Sequence, residues 1–218
     1  MTLKLVGPTM FRSFRCVWML EELGVPYEHI LAKPWSKQAK QYHPLGKIPI
    51  LVDDDFVLYE SAVINTYLGD KYEKLVPPPR TRDRARYDQY CMFLMTEMDA
   101  QGLWIHRKHE ALAQYFGACP QAVEEAERQF EKAQAAMVAN LSGPFLLGNE
   151  FTAADILYVH CLDWAQSIGW LHVEEGAHVE EGALGNYLDL CKLRPAYQRA
   201  VEKRQAEQAL VDKPKSKI

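Results

Sequence analysis

The run Val76-Pro77-Pro78-Pro79-Arg80 divides the chain into two stretches of different periodicity, and no single regular element can cross it. Three consecutive prolines remove three backbone N–H groups and fix φ near about −65°, so a helix stops before them and a stiff extended spacer follows. Before this run, strand and helix signals alternate. Leu3-Lys-Leu-Val6 reads as a short strand broken by Gly7-Pro8, and Ser13 stands as the cap of a helical run from Phe14 to Leu23 that Gly24 stops. Residues 27 to 31 read as a second strand and 36 to 42 as a weak helix. Apolar runs at 50 to 52 and 56 to 58 flank Asp53-Asp54-Asp55 as a hairpin, and a helix from 62 to about 72 follows. The order βαβαββα specifies an α+β unit, a small sheet covered by helices and closed by an antiparallel hairpin. Beyond the prolines the strand signals disappear. Helical patterns at roughly 83 to 115, 121 to 141, 152 to 168 and 186 to 204 specify an all-α domain. The expected division is residues 1–76, a Pro-rich linker 77–82 and a helical domain 83–218.

Within the helical part, Val123, Ala126, Phe130, Ala133, Met137 and Leu141 form one apolar stripe, ended by Gly143-Pro144. Thr152 and Asp155 are spaced as a capping box, and Phe151 and Ile156 as a hydrophobic staple. Leu157, Cys161, Trp164 and Ile168 then follow at helical spacing, which marks a buried central helix. The hexapeptide His172-Val-Glu-Glu-Gly-Ala177 recurs at 178–183; one tandem copy is a loop duplication rather than a solenoid.

Composition narrows the function. A net charge of −4 with no long basic run excludes a general polyanion-binding role, so no nucleic acid is expected as partner. Five cysteines, an odd number without a Cys-x-x-Cys spacing, suggest neither a disulfide framework nor a zinc knuckle and fit a reducing compartment. There is no leader-like N-terminus and no apolar window of membrane-spanning length, so a cytoplasmic protein without a membrane partner is expected. Lys213-Pro-Lys-Ser-Lys-Ile218 reads as a solvated tail.

Lys47-Ile48-Pro49, with Glu60-Ser61 eleven residues further on, is arranged to grip a small peptide. A cis proline at a strand start turns the N–H and C=O of Ile48 outward, where an extended peptide pairs with them. Ser61 at a helix start leaves free N–H groups and the positive end of the dipole for a carboxylate, and Glu60 can meet an amine. Together they suit a zwitterionic amino-acid end. An ordinary hairpin with a proline at a strand start and a serine cap would read the same.

Four motifs in order resemble the cytosolic glutathione transferases over nearly the whole chain: Phe14-Arg-Cys-Val-Trp-Met-Leu-Glu-Glu-Leu-Gly-Val-Pro-Tyr-Glu28, Pro44-Leu-Gly-Lys-Ile-Pro49, Tyr59-Glu-Ser61 and Gly148-Asn-Glu-Phe-Thr-Ala-Ala-Asp-Ile156. The resemblance implies a thioredoxin-like N-terminal domain, an all-α C-terminal domain, glutathione as co-substrate, a small electrophile as second substrate, a homodimer and a role in detoxification. It implies that Ile48 pairs with the cysteinyl part of glutathione beside a cis Pro49, that Glu60 and Ser61 hold the γ-glutamyl end, and that Lys47, with Lys37 or Lys40, meets the glycyl carboxylate.

The chemistry needs a thiolate, because free cysteine titrates at about 8.5 and the thiol is a poor nucleophile. A hydroxyl near the start of the first helix would stabilise it. Serine-type relatives carry the donor where this chain has Phe11, which leaves Ser13 and Thr9 as candidates, Thr9 by similarity to bacterial relatives that use a threonine just after the strand. Arg12 or Arg15 could add positive potential or be surface charges. Cys16, one position after Arg15 and within the first turn, lies too late to match the cysteine that cysteine-type relatives carry before this helix, and reads as a core residue. The electrophile pocket is expected around Phe11, Trp104 and His106, on the first long helix with Tyr90, Met92, Phe93, Met95, Met98 and His109. His106 and His109 lack a third ligand in register, so no metal is expected. By analogy, Asp99 could reach across a dimer to the glutathione amine. Two other functions share the fold: a non-catalytic binding or interaction module, favoured by Phe11, and a glutathione-disulfide oxidoreductase using Thr9.

Overall fold

A computed structural model describes residues 3–171 and 182–211 of the 218-residue chain. The tail at 213–218 and most of the hexapeptide repeat lie outside the described residues. The chain forms two compact units, one of residues up to Lys74 together with the stretch from Lys192 onward, the other Leu75–Cys191.

In the first unit, β1 (Leu3–Val6), α1 (Ser13–Leu23), β2 (Glu28–Ile30), α2 (Lys37–Lys40), β3 (Ile50–Asp53), β4 (Phe56–Tyr59) and α3 (Ser61–Tyr72) follow the expected order. The sheet order is β2-β1-β3-β4, with β1 parallel to β2 and antiparallel to β3, and β3 antiparallel to β4. Successive strand residues face opposite sides. Val6, paired with Ile50, joins Ala32 and Ala39 in a small cluster against which Ile48 and Tyr42 pack. Leu5 and Leu51, both fully buried, face the other side, where α1 and α3 cover the sheet. The hairpin turn is only Asp54-Asp55. Asp53 pairs across the strands with Phe56 and is buried, accepting from the Tyr67 hydroxyl and from Lys71. Those two donors hold its carboxyl below the ordinary value against the opposing effect of burial.

The second unit is helical. Thr81 caps α4 (Arg82–Phe93) by accepting from the Arg84 N–H at 3.1 Å. The expected long helix does run on to Phe116, but in wider turns at Leu94–Leu103 and Arg107–Ala111, with α5 (Trp104–His106) between and α6 (Ala113–Phe116) after. Within the first wide stretch Gly102 lets Phe130 of α7 (Pro120–Ala139) approach: a Cβ there would stand 3.2 Å from the Phe130 Cβ. The stripe Ala126, Phe130, Ala133 and Met137 is buried as its spacing requires. α8 (Ala153–Ser167) is the buried central helix, with ten buried residues in fifteen.

Residues 186–204 do not form one helix. The chain breaks into α9 (Gly182–Lys192) and α10 (Pro195–Val211), because Pro195 has no N–H to continue α9 and is suited to the first turn of a new helix. α10 packs on α1 in the first unit through Arg194 on Glu22 at 2.6 and 2.8 Å, Arg199 and Lys203 on Glu21 at 3.0 Å each, and the edge-on ring pair Trp18–Tyr197. Burial opposes ionisation of Glu21, but those two cations, with the Tyr27 hydroxyl, hold its carboxyl below the usual value.

Candidate active site

All the residues expected to hold glutathione lie in the first unit. The Ile48–Pro49 bond is cis, Pro49 is buried, and Ile48 is half-buried at the mouth of β3. Glu60 and Lys47 are exposed, as are Lys37 and Lys40 of α2, which Ser36 caps by accepting from the Ala39 N–H at 3.1 Å. Ser61 is the first residue of α3 rather than its cap. Glu60 holds the cap position at φ 72°, a left-handed conformation that costs a glutamate about 1–3 kcal/mol and turns its side chain outward.

The first turn of α1 departs from the expectation in the same way. Ser13 is the first helical residue, Arg12 takes the cap position, and no side chain caps the helix. The Ser13 side chain is fully buried, and its Oγ has no hydrogen-bond partner among the described residues. It rests on Gly7: a Cβ on Gly7 would stand 2.2 Å from Ser13 Oγ and 2.9 Å from Ile48 Cβ. Gly7, with φ 128°, thus brings the hydroxyl of Ser13 and the residue expected to carry the peptide backbone to one point. Gly7→Ala should therefore lose about 3 kcal/mol of stability through strain and overpacking, read as a lowered urea midpoint at unchanged slope.

Thr9 is also buried, but its hydroxyl is engaged: both its N–H and its Oγ1 donate to Glu207 Oε2 at 2.7 Å. Phe11 is half-buried in the intervening turn, where its N–H donates to the Pro8 carbonyl at 3.3 Å.

Arg15 is not a surface charge. It is fully buried, and its Nη1 donates to Ser61 Oγ at 3.2 Å, while the Asn65 amide donates to its carbonyl. The guanidinium therefore puts a full positive charge behind the start of α3, and it leaves the Ser61 hydroxyl proton free to point elsewhere. Cys16 faces the same helix start, 3.9 Å from the Ser61 carbonyl. Burial pushes its thiol far above the ordinary value despite the neighbouring Arg15, so it is no nucleophile. His43 was missing from the sequence-derived site. It is buried against the Tyr59 ring at 4.4 Å, its Nδ1 accepts from the Leu45 N–H at 3.0 Å, and burial lowers its pKa, with the charges of Glu60 and Lys47 acting in opposite senses. A lone histidine directly before Pro44 and six residues before Pro49 carries no sequence signal for this position.

Trp104 and His106 lie in the second unit. Trp104 is half-buried with its ring against Phe116, and His106 is buried against Trp170 with ring centroids 5.0 Å apart. His106 Nδ1 is buried without a partner among the described residues, and Nε2 lies 3.6 Å from Glu110. His109 does not turn with it toward a shared ligand; its Nδ1 is 2.9 Å from the Gly117 carbonyl. Asp99 is buried rather than presented at the surface.

Two family models match the chain: "Glutathione S-transferase, N-terminal domain" over residues 10–71 and "Glutathione S-transferase, C-terminal domain" over residues 93–175. A glutathione S-transferase named hmp2 from Hypomyces subiculosus is 36% identical over 100 residues, covering 42% of this chain; the chain spans less than half of that relative, 47%. Glutathione S-transferase 3 of Zea mays is 30% identical over 170 residues, covering 70% of this chain and 73% of the maize protein. Among solved structures, Ure2p5 from Phanerochaete chrysosporium, cocrystallised with 1-(S-glutathionyl)-2,4-dinitrobenzene, shares the fold with a TM-score of 0.78 at 18% identity, covering 98% of each chain. With both domain models matched and the maize relative 30% identical over 73% of its own length, the chain belongs to the glutathione S-transferase family.

Proposed function

We propose that this chain activates the thiol of glutathione and transfers it to small, apolar, electrophilic compounds, with hydroperoxides as a second class of acceptor for the same thiolate. The observation that carries this reading is the convergence of an unpartnered, buried Ser13 Oγ and the Ile48 side chain on Gly7. Ile48 offers its backbone N–H and C=O to the cysteinyl residue of glutathione, which sets the sulfur near the start of α1. The Ser13 hydroxyl, engaged by nothing else, donates to the sulfur and stabilises the anion, with the positive end of the α1 dipole adding to it.

Glu60 takes the γ-glutamyl amine. The Ser61 hydroxyl, already accepting from Arg15, donates its proton to the γ-glutamyl carboxylate. Lys47 and Lys37 meet the glycyl carboxylate as point charges. The thiol proton leaves to solvent; the thiolate then forms a C–S bond, and the leaving group departs with the electron pair of the bond it breaks. Phe11, in the turn before α1, supplies apolar surface for the electrophile. The conjugate bound by the structural neighbour Ure2p5 is the product class expected here. The wider reading is a cytoplasmic, homodimeric detoxification enzyme; five free cysteines, four of them buried, agree with a reducing compartment.

The test is retention on immobilised glutathione, followed by assays of chlorodinitrobenzene conjugation, hydroperoxide reduction and disulfide reduction. Binding with conjugation is expected. No binding at millimolar glutathione would end the reading, and binding without any turnover would make the chain a non-catalytic module of the family.

A further inference from the structure

We infer that Glu207, near the end of the last helix, is a positioning residue of the thiol-activating site: it clamps the β1–α1 loop by binding Thr9, and so leaves Ser13 as the thiolate donor. This rests on the proposed glutathione chemistry, but the geometry is independent of it. One carboxylate oxygen, Glu207 Oε2, accepts both the N–H and the hydroxyl of Thr9 at 2.7 Å. A carboxylate only accepts, so the Thr9 proton is committed to Glu207 and is not available to a sulfur. The other oxygen, Oε1, lies 3.4 Å from His29 Nδ1, and His29 Nε2 lies 2.9 Å from the Gly7 carbonyl. A carbonyl also only accepts, so Nε2 carries a proton.

Glu207 therefore holds the loop directly at Thr9, and, when His29 carries a proton on both ring nitrogens, also through His29 at Gly7. Gly7 is the residue on which Ser13 Oγ and Ile48 rest. The Glu207 side chain is only 14% exposed, so these bonds are shielded from water. The register of α10 is fixed upstream by Arg194 on Glu22 and by Arg199 and Lys203 on Glu21, which sets where Glu207 arrives. The sequence separation of 198 residues between Thr9 and Glu207 makes the end of the chain a component of a site that begins at its ninth residue.

Glu207→Ala should lower kcat for chlorodinitrobenzene by about 10-fold, with the KM for glutathione changed by less than about twofold. Glu207→Gln, which keeps an acceptor oxygen for Thr9, should recover most of that loss. Thr9→Val should cost turnover in the wild type and nothing further in Glu207→Ala, because both changes break one interaction. An equal cost of Thr9→Val in both backgrounds would make Thr9 itself the donor and overturn the inference, as would full turnover in Glu207→Ala. The clamp has its own readout in ligand-free protein: hydrogen exchange of the Thr9 amide should be at least about 10-fold faster in Glu207→Ala and Glu207→Gln should stay slow, whereas unchanged exchange would refute the clamp. A wild type that does not bind glutathione overturns the underlying chemistry, and the exchange result then still upholds or refutes the clamp.

Discussion

Replacing Ser13 with alanine is expected to lower conjugation turnover by about 10²-fold while leaving the Kd for glutathione within about twofold. The size follows from deleting a hydrogen-bond donor aimed at an anion in a shielded site, and the selectivity follows from geometry. The peptide contacts belong to Ile48, Glu60 and Ser61, whereas Ser13 meets only the sulfur. Without its donor, the bound thiol should return toward about 8.5, so the acidic, ascending limb of the kcat profile moves to higher pH by the amount the hydroxyl had lowered it. The thermal midpoint supplies a second discriminator. Ser13 Oγ is buried and makes no hydrogen bond in the ligand-free protein, so Ser13→Ala removes an unsatisfied polar atom and should leave the midpoint unchanged or slightly raised. A hydroxyl needed for folding would behave in the opposite way. Full activity in Ser13→Ala together with loss in Thr9→Ala would reject Ser13 as the donor.

The parts of this site that were legible in the sequence are those set by local chemistry. A proline at a strand start, an Asp-rich turn between two short apolar runs, and Thr152 three residues before Asp155 each declare their geometry within a few positions, although the turn is Asp54-Asp55 alone. Ser13 and Ser61 were placed one residue off in role, because residues that suit a cap also fit the first turn, and only the structure shows Arg12 and Glu60 at the cap positions. The burial of Arg15 follows from its neighbours in the chain. Phe14, Cys16, Val17, Trp18, Met19 and Leu20 surround it and all are buried, so the arginine had no solvent-facing side to occupy. The break at Pro195 was written in the sequence as well, since a proline inside a helical pattern ends it or starts a new one. Glu207 was not legible. It lies on a helix whose apolar pattern is weak, and its partners are set by how α10 docks on α1, a long-range packing outcome that no local spacing encodes.

Asp155→Ala should cost about 3–5 kcal/mol, the largest stability effect expected of any single substitution in the second unit. Asp155 is fully buried at the start of α8, and each of its oxygens accepts two bonds: Oδ1 from the Leu146 N–H and the Tyr187 hydroxyl, both at 2.9 Å, and Oδ2 from the Thr152 N–H at 2.8 Å and the Thr152 hydroxyl at 3.0 Å. Burial raises its pKa, and the four donors act against that rise. Alanine would take the shared acceptor away from four buried donors. Asp155→Asn should be less damaging than alanine but still destabilising. Its amide nitrogen must face one of the two donor pairs, and although the hydroxyl of that pair can turn to accept, the backbone N–H is left facing a donor. Tyr187→Phe is the measured control: it removes one donor and leaves the carboxylate three, so it should cost only about 1 kcal/mol. Because the carboxylate ties the segment at Leu146, the start of α8 and the Tyr187 face of α9 together, its loss should also make the second unit unfold before the first. Urea unfolding followed by tryptophan fluorescence should then show two steps in Asp155→Ala where the wild type shows one, and a single unshifted transition would show the network to be dispensable.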